Sequence, residues 1–206
     1  MVGVEYGVRG DSGLRRRQFE EHQEGLERVG AAPIITSSSG DIEKADAIVL
    51  PGVGSFKSAM QNLGPVLRPL YEAIEEGRPV LGICLGLQLF FEWSEEGGVK
   101  GLGLIGGFVD RLPSTVKVPH MGWNRISVRA WSPIIDGIPD GAYMYFVHSY
   151  KVNPKKDDVV IATTTYGCDF PSIVEAKPAL FGTQFHPEKS GSHGLAILRN
   201  FVKLAR

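Results

Sequence analysis

The sequence has little cysteine and no excess of charge of either sign. Its 206 residues include two cysteines, Cys84 and Cys168, whereas a secreted disulfide-stabilised domain usually carries more in a shorter chain. We therefore expect free thiols and a cytosolic protein. Lysine and arginine number 22 against 23 aspartates and glutamates, for a net charge of −1. That balance provides no basic field for nucleic acid or for an anionic membrane surface, so we expect neither as a partner.

Long apolar runs are also missing. No stretch reaches the ~18 residues that a membrane span requires, and the first residues, "MVGVEYGVRGDSG", lack the basic and apolar regions of a signal peptide. The length suits a single domain over residues 1–206. A domain of this size buries enough surface to fold without a disulfide or a metal, and we expect no metal and no cofactor.

Apolar and amphipathic segments alternate through the first half. The pattern predicts strands and helices in turn: strands at residues 2–6, 45–52 and 78–83, and helices at 14–30, 58–76 and 85–96. Such alternation is typical of a three-layer α/β fold with a mostly parallel sheet and helices on both faces. From residue 101 to 186 the runs are short and strand-like, separated by turn signals such as "IPDG" and "NPKKDD". They predict antiparallel strands that extend or flank the sheet, before a final helix.

Cys84 lies where the predicted strand at 78–83 meets the predicted helix at 85–96. Gly82 and Gly86 flank it, and small neighbours are what a tight strand-turn-helix crossing needs. The arrangement resembles a nucleophile elbow with sulfur in place of a serine oxygen. Free N–H groups at a helix start favour a thiolate and can stabilise an oxyanion. An inert core cysteine is the ordinary alternative, but the two glycines favour the nucleophile.

A nucleophilic thiol needs a base, and the chain offers five histidines: His22, His120, His148, His186 and His193. His186 ends an apolar run in "FGTQFHPEKS", and Glu188 follows two residues later. In extended chain, residues i and i+2 point the same way, and Pro187 disfavours a helix here. Glu188 is therefore predicted to orient His186 in a Cys–His–acid arrangement. The alternative is a strand-end histidine beside an unrelated surface glutamate.

Two further elements accompany Cys84. In "VLPGVGSF", Gly52 and Gly54 let the backbone approach a ligand closely. That loop suits an oxyanion donor or a phosphate loop, although it lacks the P-loop lysine, and an ordinary turn remains equally open. Gln88 and Glu92 follow Cys84 at i+4 and i+8 and would share one side of a helix. The Gln88 amide then faces either a polar substrate or solvent.

These residues together resemble the class I (triad) glutamine amidotransferases. The resemblance rests on "GICLGLQLFFEWSEE", "LPGVGSF" and "QFHPEKS" in this order, and it covers the chain from about residue 45 onward. Within the class, "KVPHMGWN", "YFVHSY" and "GLAILRNF" are similar to glutaminase subunits of imidazole glycerol phosphate synthases, which act in histidine biosynthesis. "PHMGWN" separates this group from the GMP, anthranilate and CTP relatives.

The resemblance implies a triad of Cys84, His186 and Glu188 that hydrolyses L-glutamine. It also implies an oxyanion hole from the backbone of Gly52, Val53 and Leu85, with Gly54 in the same loop. The implied glutamine contacts are Gly52, Gln88, Glu96, His148, Ser149 and Tyr150. The implied partner is a (β/α)₈ cyclase subunit in a heterodimer, with Pro119, Met121, Trp123 and Lys189 near the shared surface.

The sequence departs from this family near its start. The family usually continues from Tyr-Gly through Gly-Asn directly into a helix, whereas residues 7–25 here are longer and contain no asparagine. Two other functions stay open on the residues alone. A stand-alone cysteine hydrolase, of the peptidase or γ-glutamyl hydrolase type, would act without a partner. A non-catalytic binding module would lack a member of the triad, and all three are present.

Overall fold

The computed structural model of the chain describes residues 2–6, 13–176 and 178–205, with side chains from Phe19 onward. Residues 7–12 of the unusually long segment 7–25 thus lie outside the described part. The described residues form fourteen strands: β1 (Val2–Tyr6), β2 (Ala32–Thr36), β3 (Ala47–Leu50), β4 (Val80–Ile83), β5 (Phe91–Ser94), β6 (Val99–Lys100), β7 (Ile105–Arg111), β8 (His120–Arg125), β9 (Ser127–Val128), β10 (Tyr143–His148), β11 (Tyr150–Pro154), β12 (Val160–Thr165), β13 (Asp169–Ala176) and β14 (Leu180–Thr183).

Helices connect most of the strands in the first half. The described part holds six α-helices: α1 (Gly13–Glu27), α2 (Ser39–Lys44), α3 (Phe56–Leu63), α4 (Leu67–Glu75), α5 (Leu85–Leu89) and α6 (Gly191–Leu204). Short 3₁₀ turns complete it at Gly64–Val66, Pro133–Ile135, Asp157–Val159 and Pro187–Lys189. None of the helices in this part is long and apolar enough to cross a membrane.

The main sheet has eight strands in the order β2-β1-β3-β4-β14-β13-β12-β9. The five strands from β2 to β14 are parallel to their neighbours, and the pairings from β14 to β9 are antiparallel. This confirms the predicted mostly parallel sheet with antiparallel strands at one side. The loops that leave β3, β4 and β14 lie at adjacent carboxyl ends, which is where open α/β sheets place their ligands.

Alternating side chains of the central strands supply two separate cores. On β3, Ile48 and Leu50 belong to one core, together with residues of α2, α3, α4 and α5. Ala47 and Val49 belong to the other core, with residues of α1 and α6. Because successive side chains of a strand point to opposite faces, these fully apolar strands are covered on both sides. The three layers of the predicted fold are therefore confirmed.

Two smaller sheets lie outside the main one. One pairs β10 with β8, and the other has the order β11-β7-β5-β6. The run "AYMYFVHSYKV", a single strand by its pattern, is in fact divided at Ser149 into β10 and β11, which belong to different sheets. The division places His148, Ser149 and Tyr150 at a junction between sheets.

The predicted helix at 85–96 is wrong in its second half. Helix α5 ends at Leu89, and β5 then pairs with β7 in parallel. The backbone at Phe90 accepts hydrogen bonds from the amides of Leu104 and Ile105 (2.8 and 2.9 Å). The aromatic run "FFEW" suits a strand as well as a helix, and these tertiary hydrogen bonds decide in favour of the strand.

Candidate active site

The backbone at Cys84 is strained into a tight turn between β4 and α5. Its φ is 52° and its ψ is −105°, and no other non-glycine residue in the described ranges has a positive φ. The Cys84 amide donates to the carbonyl of Thr183 at 2.7 Å. Such a conformation costs on the order of 1 kcal/mol and recurs at functional sites. The structure therefore has the geometry of a nucleophile elbow.

The glycines around Cys84 are required by close approach of the backbone. A Cβ atom on Gly86 would lie 1.9 Å from the carbonyl oxygen of Leu50, and one on Gly82 would lie 2.6 Å from Gly86. Gly52 is similarly tight, with a Cβ position 2.8 Å from Cys84 Cβ. The prediction that the crossing needs small residues is confirmed.

His186 and Glu188 lie together and are buried. Nδ1 of His186 is 2.8 Å from Oε1 of Glu188, and both side chains are almost inaccessible to solvent. The predicted contact forms, but not through an extended chain. His186 is extended (φ −94°, ψ 100°), whereas Glu188 lies in the 3₁₀ turn Pro187–Lys189, which brings the carboxylate back to the ring.

Backbone hydrogen bonds hold His186 against β10. Its amide donates to the carbonyl of Tyr145 at 2.9 Å. Its carbonyl accepts from Oγ of Ser190 at 2.7 Å, and the same Oγ accepts from the Tyr145 amide at 2.9 Å. The position of the imidazole is thereby linked to strand β10.

Burial and charge act in opposite directions on this pair. Burial by itself lowers the pKa of His186, but the charge of Glu188 and the hydrogen bond with Cys84 outweigh it and raise that pKa to about 10. Burial likewise raises the pKa of Glu188, yet His22 and His186 together hold it well below its usual range. The pair is therefore imidazolium and carboxylate at neutral pH.

The thiol has two further polar neighbours. Sγ of Cys84 lies 3.7 Å from the carbonyl oxygen of Val147 and 3.8 Å from Nε2 of Gln184. Nε2 of Gln88 donates two hydrogen bonds, one to Oε1 of Gln184 at 3.3 Å and one to the carbonyl of Tyr150 at 3.0 Å. Sequence reasoning missed Gln184, although it stands two residues before His186 in "TQFH".

Gln88 is buried, so the solvent-facing alternative is wrong. The expectation that Glu92 shares its helix face is also wrong, because Glu92 lies on β5. There it binds Lys155 at 2.7 Å and accepts from the Gly107 amide. The reason is the early end of α5 described above.

A cavity of about 300 Å³ opens beside Cys84. It brings together nearly all of the residues implied for the oxyanion and for glutamine, and it is lined by Gly52, Gly54, Cys84, Leu85, Gln88, Glu96, Pro119, Val147, His148, Ser149 and Tyr150. Val53 is the exception. Together with Phe19 and Leu50, Val53 lines a separate cavity of about 40 Å³.

Glu96 reaches the cavity from the turn after β5, not from the helix of Cys84. It accepts a hydrogen bond from the amide of Phe56 at 3.2 Å, and burial raises its pKa. The neighbouring Glu95 accepts from the Arg111 amide at 2.8 Å, so Glu96 is the carboxylate of this turn that lines the cavity. A carboxylate so placed suits a ligand with an ammonium group.

A chain of neutral rings supports the cavity wall at His148. Nδ1 of His148 is 2.8 Å from the carbonyl of Tyr150. Since a carbonyl only accepts, this nitrogen carries the proton, and Nε2 accepts from Nδ1 of His120 at 3.0 Å. Asn124 then donates to the other His120 nitrogen at 3.3 Å. Burial lowers the pKa of His148 to about 3 and that of His120 to about 4.

The four residues predicted for a partner surface lie in three different environments. Met121 and Trp123 are 63% and 55% exposed on β8, with Trp123 packed edge-on against Tyr145. Pro119 lines the cavity itself. Lys189 is half-buried and bound to Glu21 of α1 at 2.7 Å. The apolar outer face of β8 and the cavity are thus adjacent along the chain.

Two other candidate groups can be placed. Cys168 lies in the turn between β12 and β13, and both cysteines are free. Among the described residues, one cluster has metal-ligand geometry: His22, His186 and Glu188, whose ligand atoms lie within 4.8 Å of one another. The hydrogen bond between His186 and Glu188 already uses two of those atoms, so this cluster fits a hydrogen-bonded group better than a metal site.

Comparison with known proteins places this geometry in a family. The family model of class I glutamine amidotransferases matches residues 23–205. The imidazole glycerol phosphate synthase subunit HisH of Methanocaldococcus jannaschii is 49% identical over 172 residues, with 83% of this chain and 87% of the relative covered. Subunit HisH of Halobacterium salinarum is 47% identical over 209 residues, with 98% and 92% covered.

Solved structures share the fold. PurLQS from Thermotoga maritima gives a TM-score of 0.77 at 17% identity, covering 100% of this chain and 99% of the other. A glutamine amidotransferase gives 0.74 at 21% identity, covering 99% and 98%. The family model covers most of the chain, and the two HisH relatives are nearly half identical to it over most of its length. The chain therefore belongs to the class I glutamine amidotransferase family and, within it, to the HisH subunits of imidazole glycerol phosphate synthase.

Proposed function

We propose that the chain hydrolyses L-glutamine to glutamate and ammonia through a glutamyl thioester on Cys84, as the glutaminase subunit of an imidazole glycerol phosphate synthase. One observation carries this mechanism. A cysteine in a strained elbow lines a cavity of about 300 Å³, and the buried, hydrogen-bonded pair of His186 and Glu188 lies beside that cysteine.

The first step is attack by the thiolate. The cationic His186 stabilises the anionic sulfur, and Glu188 holds the ring by its Nδ1–H. The sulfur lone pair forms a bond to the side-chain amide carbon, and the carbonyl electrons move onto oxygen. The amide of Leu85, at the start of α5, and the backbone of Gly52 and Val53 would donate to this oxyanion.

The second step releases ammonia. As the tetrahedral intermediate collapses, His186 gives its proton to the departing nitrogen and the C–N bond breaks. Neutral His186 then removes a proton from water, which attacks the thioester carbon. Cleavage of the C–S bond restores the thiolate, glutamate leaves, and the proton remains on His186, so the cycle closes.

The cavity wall accounts for the choice of substrate. Glutamine carries an ammonium and a carboxylate beyond its side-chain amide. The half-buried Glu96 carboxylate suits the ammonium, while backbone groups of His148, Ser149 and Tyr150 suit polar atoms of the amino acid. Gln88 and Gln184 are hydrogen-bonded to each other, and Gln184 also contacts the thiol, so the two amides link this wall to Cys84.

The ammonia is used by a partner. Free ammonia becomes ammonium in water, so a synthase gains from a sealed path that begins at the thioester. Pro119 lines the cavity, and the exposed Met121 and Trp123 follow it on β8. Large apolar side chains of this kind are enriched in interface cores. We assign this face to a (β/α)₈ cyclase subunit in a heterodimer, within a reducing cytosol that suits two free thiols.

The experiment measures glutamate from glutamine in three mixtures: the chain alone, the chain with the purified cyclase, and both with the cyclase's phosphorylated ribulosyl-formimino-carboxamide ribonucleotide. We expect almost no activity in the first mixture and full activity in the third, matched by formation of imidazole glycerol phosphate. Full glutaminase activity of the isolated chain, with no binding to the cyclase by calorimetry, would instead indicate a stand-alone hydrolase.

A further inference from the structure

We infer that His22 of helix α1 is a positioning residue of the triad, which holds the second oxygen of the Glu188 carboxylate while His186 holds the first. The inference rests on the proposed role of Glu188, and it adds a residue from α1, the helix that contains most of the departing segment 7–25. His22 is one of the five histidines in the chain, and no sequence motif singles it out.

The geometry is a carboxylate between two imidazoles. Oε1 of Glu188 lies 2.8 Å from Nδ1 of His186, and Oε2 lies 3.4 Å from Nδ1 of His22. The two rings stack with centroids 5.7 Å apart and an interplanar angle of 29°. The side chains of His22 and Glu188 are each 2% exposed, so water does not separate them.

The second oxygen depends on His22. Neither Oε2 of Glu188 nor Nδ1 of His22 has a hydrogen bond of ordinary geometry within the described part of the chain, and both atoms are buried. A buried carboxylate oxygen without a donor is costly. Nδ1 of His22 faces this oxygen at 3.4 Å, so a proton on that nitrogen would be directed at the carboxylate.

Helix α1 is seated directly on the turn that carries Glu188. A Cβ atom on Gly25 would lie 2.8 Å from Glu188 Cβ, so only glycine permits this approach. Near the same turn, Glu21 of α1 binds Lys189 at 2.7 Å. These two contacts fix the height and rotation of α1 and so determine where the His22 ring stands.

The charges follow from the same arrangement. Burial works against the Glu188 carboxylate, and the charge of His22 is the strongest of the influences that lower its pKa. An anionic, fixed Glu188 keeps His186 cationic, and a cationic His186 stabilises negative charge on the sulfur as Cys84 reacts. His22 therefore acts on the thiol through two intermediaries and contacts neither the thiol nor the proposed substrate cavity.

The test measures the rate at which iodoacetamide alkylates Cys84, in a Cys168→Ser background that removes the second thiol. This readout needs neither glutamine nor the cyclase. His22→Leu removes the donor, whereas His22→Asn keeps a side-chain N–H close to the position of Nδ1. Leu26→Ala, a buried residue of α1 one turn further on, is the control for lost helix packing.

We expect His22→Leu to slow alkylation by roughly tenfold, and His22→Asn to restore it to within about threefold of the parent. Leu26→Ala should leave the rate unchanged even where it lowers the melting temperature. In a Glu188→Gln background, His22→Leu should have almost no further effect, because the carboxylate on which it acts is gone.

Three results would overturn the inference: an unchanged rate in His22→Leu, an equal loss in His22→Asn and Leu26→Ala, or fully additive effects with Glu188→Gln. If His22→Leu does not fold, a His22→Asn variant as slow as Glu188→Gln still contradicts it. Failure of glutamine hydrolysis in the parent protein, with the alkylation pattern intact, would count against the proposed substrate and leave the positioning role standing.

Discussion

Cys84 combines three properties that its neighbours enforce. Its positive φ is held by the hydrogen bond to the Thr183 carbonyl, its surroundings exclude side chains at Gly82 and Gly86, and its thiol lies beside the buried ring of His186, whose pKa is raised. The first two could be predicted from the glycine spacing. The third property needs a histidine about 100 residues away in sequence, and the acid at i+2 is the sequence feature that singles out His186.

Other residues of the site carried no usable signal. Gln184 is a neutral amide inside a strand-like run, and its contact with Sγ exists only because β14 pairs with β4. His22 is close to Glu188 only because α1 packs on the Pro187–Lys189 turn. Such contacts between distant segments depend on tertiary packing, which local pattern does not contain.

Glu188 is expected to matter less than His186. Glu188→Gln keeps the shape and a hydrogen-bonding oxygen but loses the charge that raises the pKa of His186, whereas His186→Ala removes the proton carrier. Both should lower kcat for glutamine in the presence of the cyclase, with Glu188→Gln at least about tenfold less severe. Steady-state kinetics of the two variants check this. Equal kcat values in the two variants would refute the division of roles.

At the scale of elements, the sequence predicted the order of strands and helices well but the residues at which they end poorly. The apolar strands β3 and β4 and the helices that follow them stand as expected. Helix α5 is much shorter than expected because β5 forms hydrogen bonds with β7, and "AYMYFVHSYKV" is divided between two sheets. In each case a partner strand distant in sequence decides where the element ends. The aromatic side chains after α5 would suit a helix or a strand.

The crossing of α5 over β3 should tolerate no side chain at Gly86. Gly86→Ala would place Cβ 1.9 Å from the Leu50 carbonyl, so we expect a loss of about 3 kcal/mol or more in the free energy of unfolding. Gly64→Ala is the matched control, since it has right-handed helical φ and ψ and no atom within 4 Å of its Cβ position. It should stay within about 0.5 kcal/mol of the parent or gain stability. Urea denaturation of both variants measures the difference, and similar stabilities would contradict the account.

The β8–β10 pair should make the fold sensitive to mild acid. His148 has a native pKa of about 3, below the ~6.5 of an unfolded histidine. The unfolded chain therefore binds more protons below that value, and stability falls as pH drops from about 6.5 towards 4, by up to about 1.4 kcal/mol per pH unit from this ring. His186, whose pKa is raised to about 10, opposes this trend only near pH 6.5 and adds no slope below about pH 5.5, where its ring is protonated in both states. His148→Asn should reduce the pH dependence measured by denaturation at pH 6.5 and 5, and the part contributed by His120, whose pKa is about 4, should remain. An unchanged slope would show that the His148 ring is not buried as neutral imidazole.

At the scale of the whole molecule, the β8–β10 pair near the cavity carries several large apolar side chains that are exposed to solvent. Met121, Trp123 and Tyr143 are all large and exposed on the β8–β10 pair, and exposed patches of this kind mark interaction sites. The sequence placed Met121 and Trp123 together, but only the strand pairing adds Tyr143 to the same sheet. That residues 1–206 form a single domain stays a prediction.

Trp123→Ala should weaken binding of the cyclase or separate glutamine use from imidazole glycerol phosphate formation. Truncating a central interface tryptophan commonly costs about 2 kcal/mol or more, roughly a thirtyfold rise in Kd. Phe108→Ala, which removes an aromatic 46% exposed on β7, is the control and should leave Kd unchanged. Calorimetry with the purified cyclase measures both. Equal effects of the two substitutions would remove β8 from the interface.

The central claim is covalent catalysis at Cys84, and trapping the intermediate tests it most directly. The chain, the cyclase and its nucleotide ligand are mixed with isotopically labelled glutamine, quenched in acid during turnover, digested and mapped by mass spectrometry. We predict a labile glutamyl adduct on the peptide that contains Cys84. In Cys84→Ala the adduct should be absent and turnover should fall to about 10⁻⁴ of the parent rate. In Cys168→Ser both the adduct and the turnover should be unchanged. Normal turnover by Cys84→Ala, or an adduct on Cys168, would contradict the account.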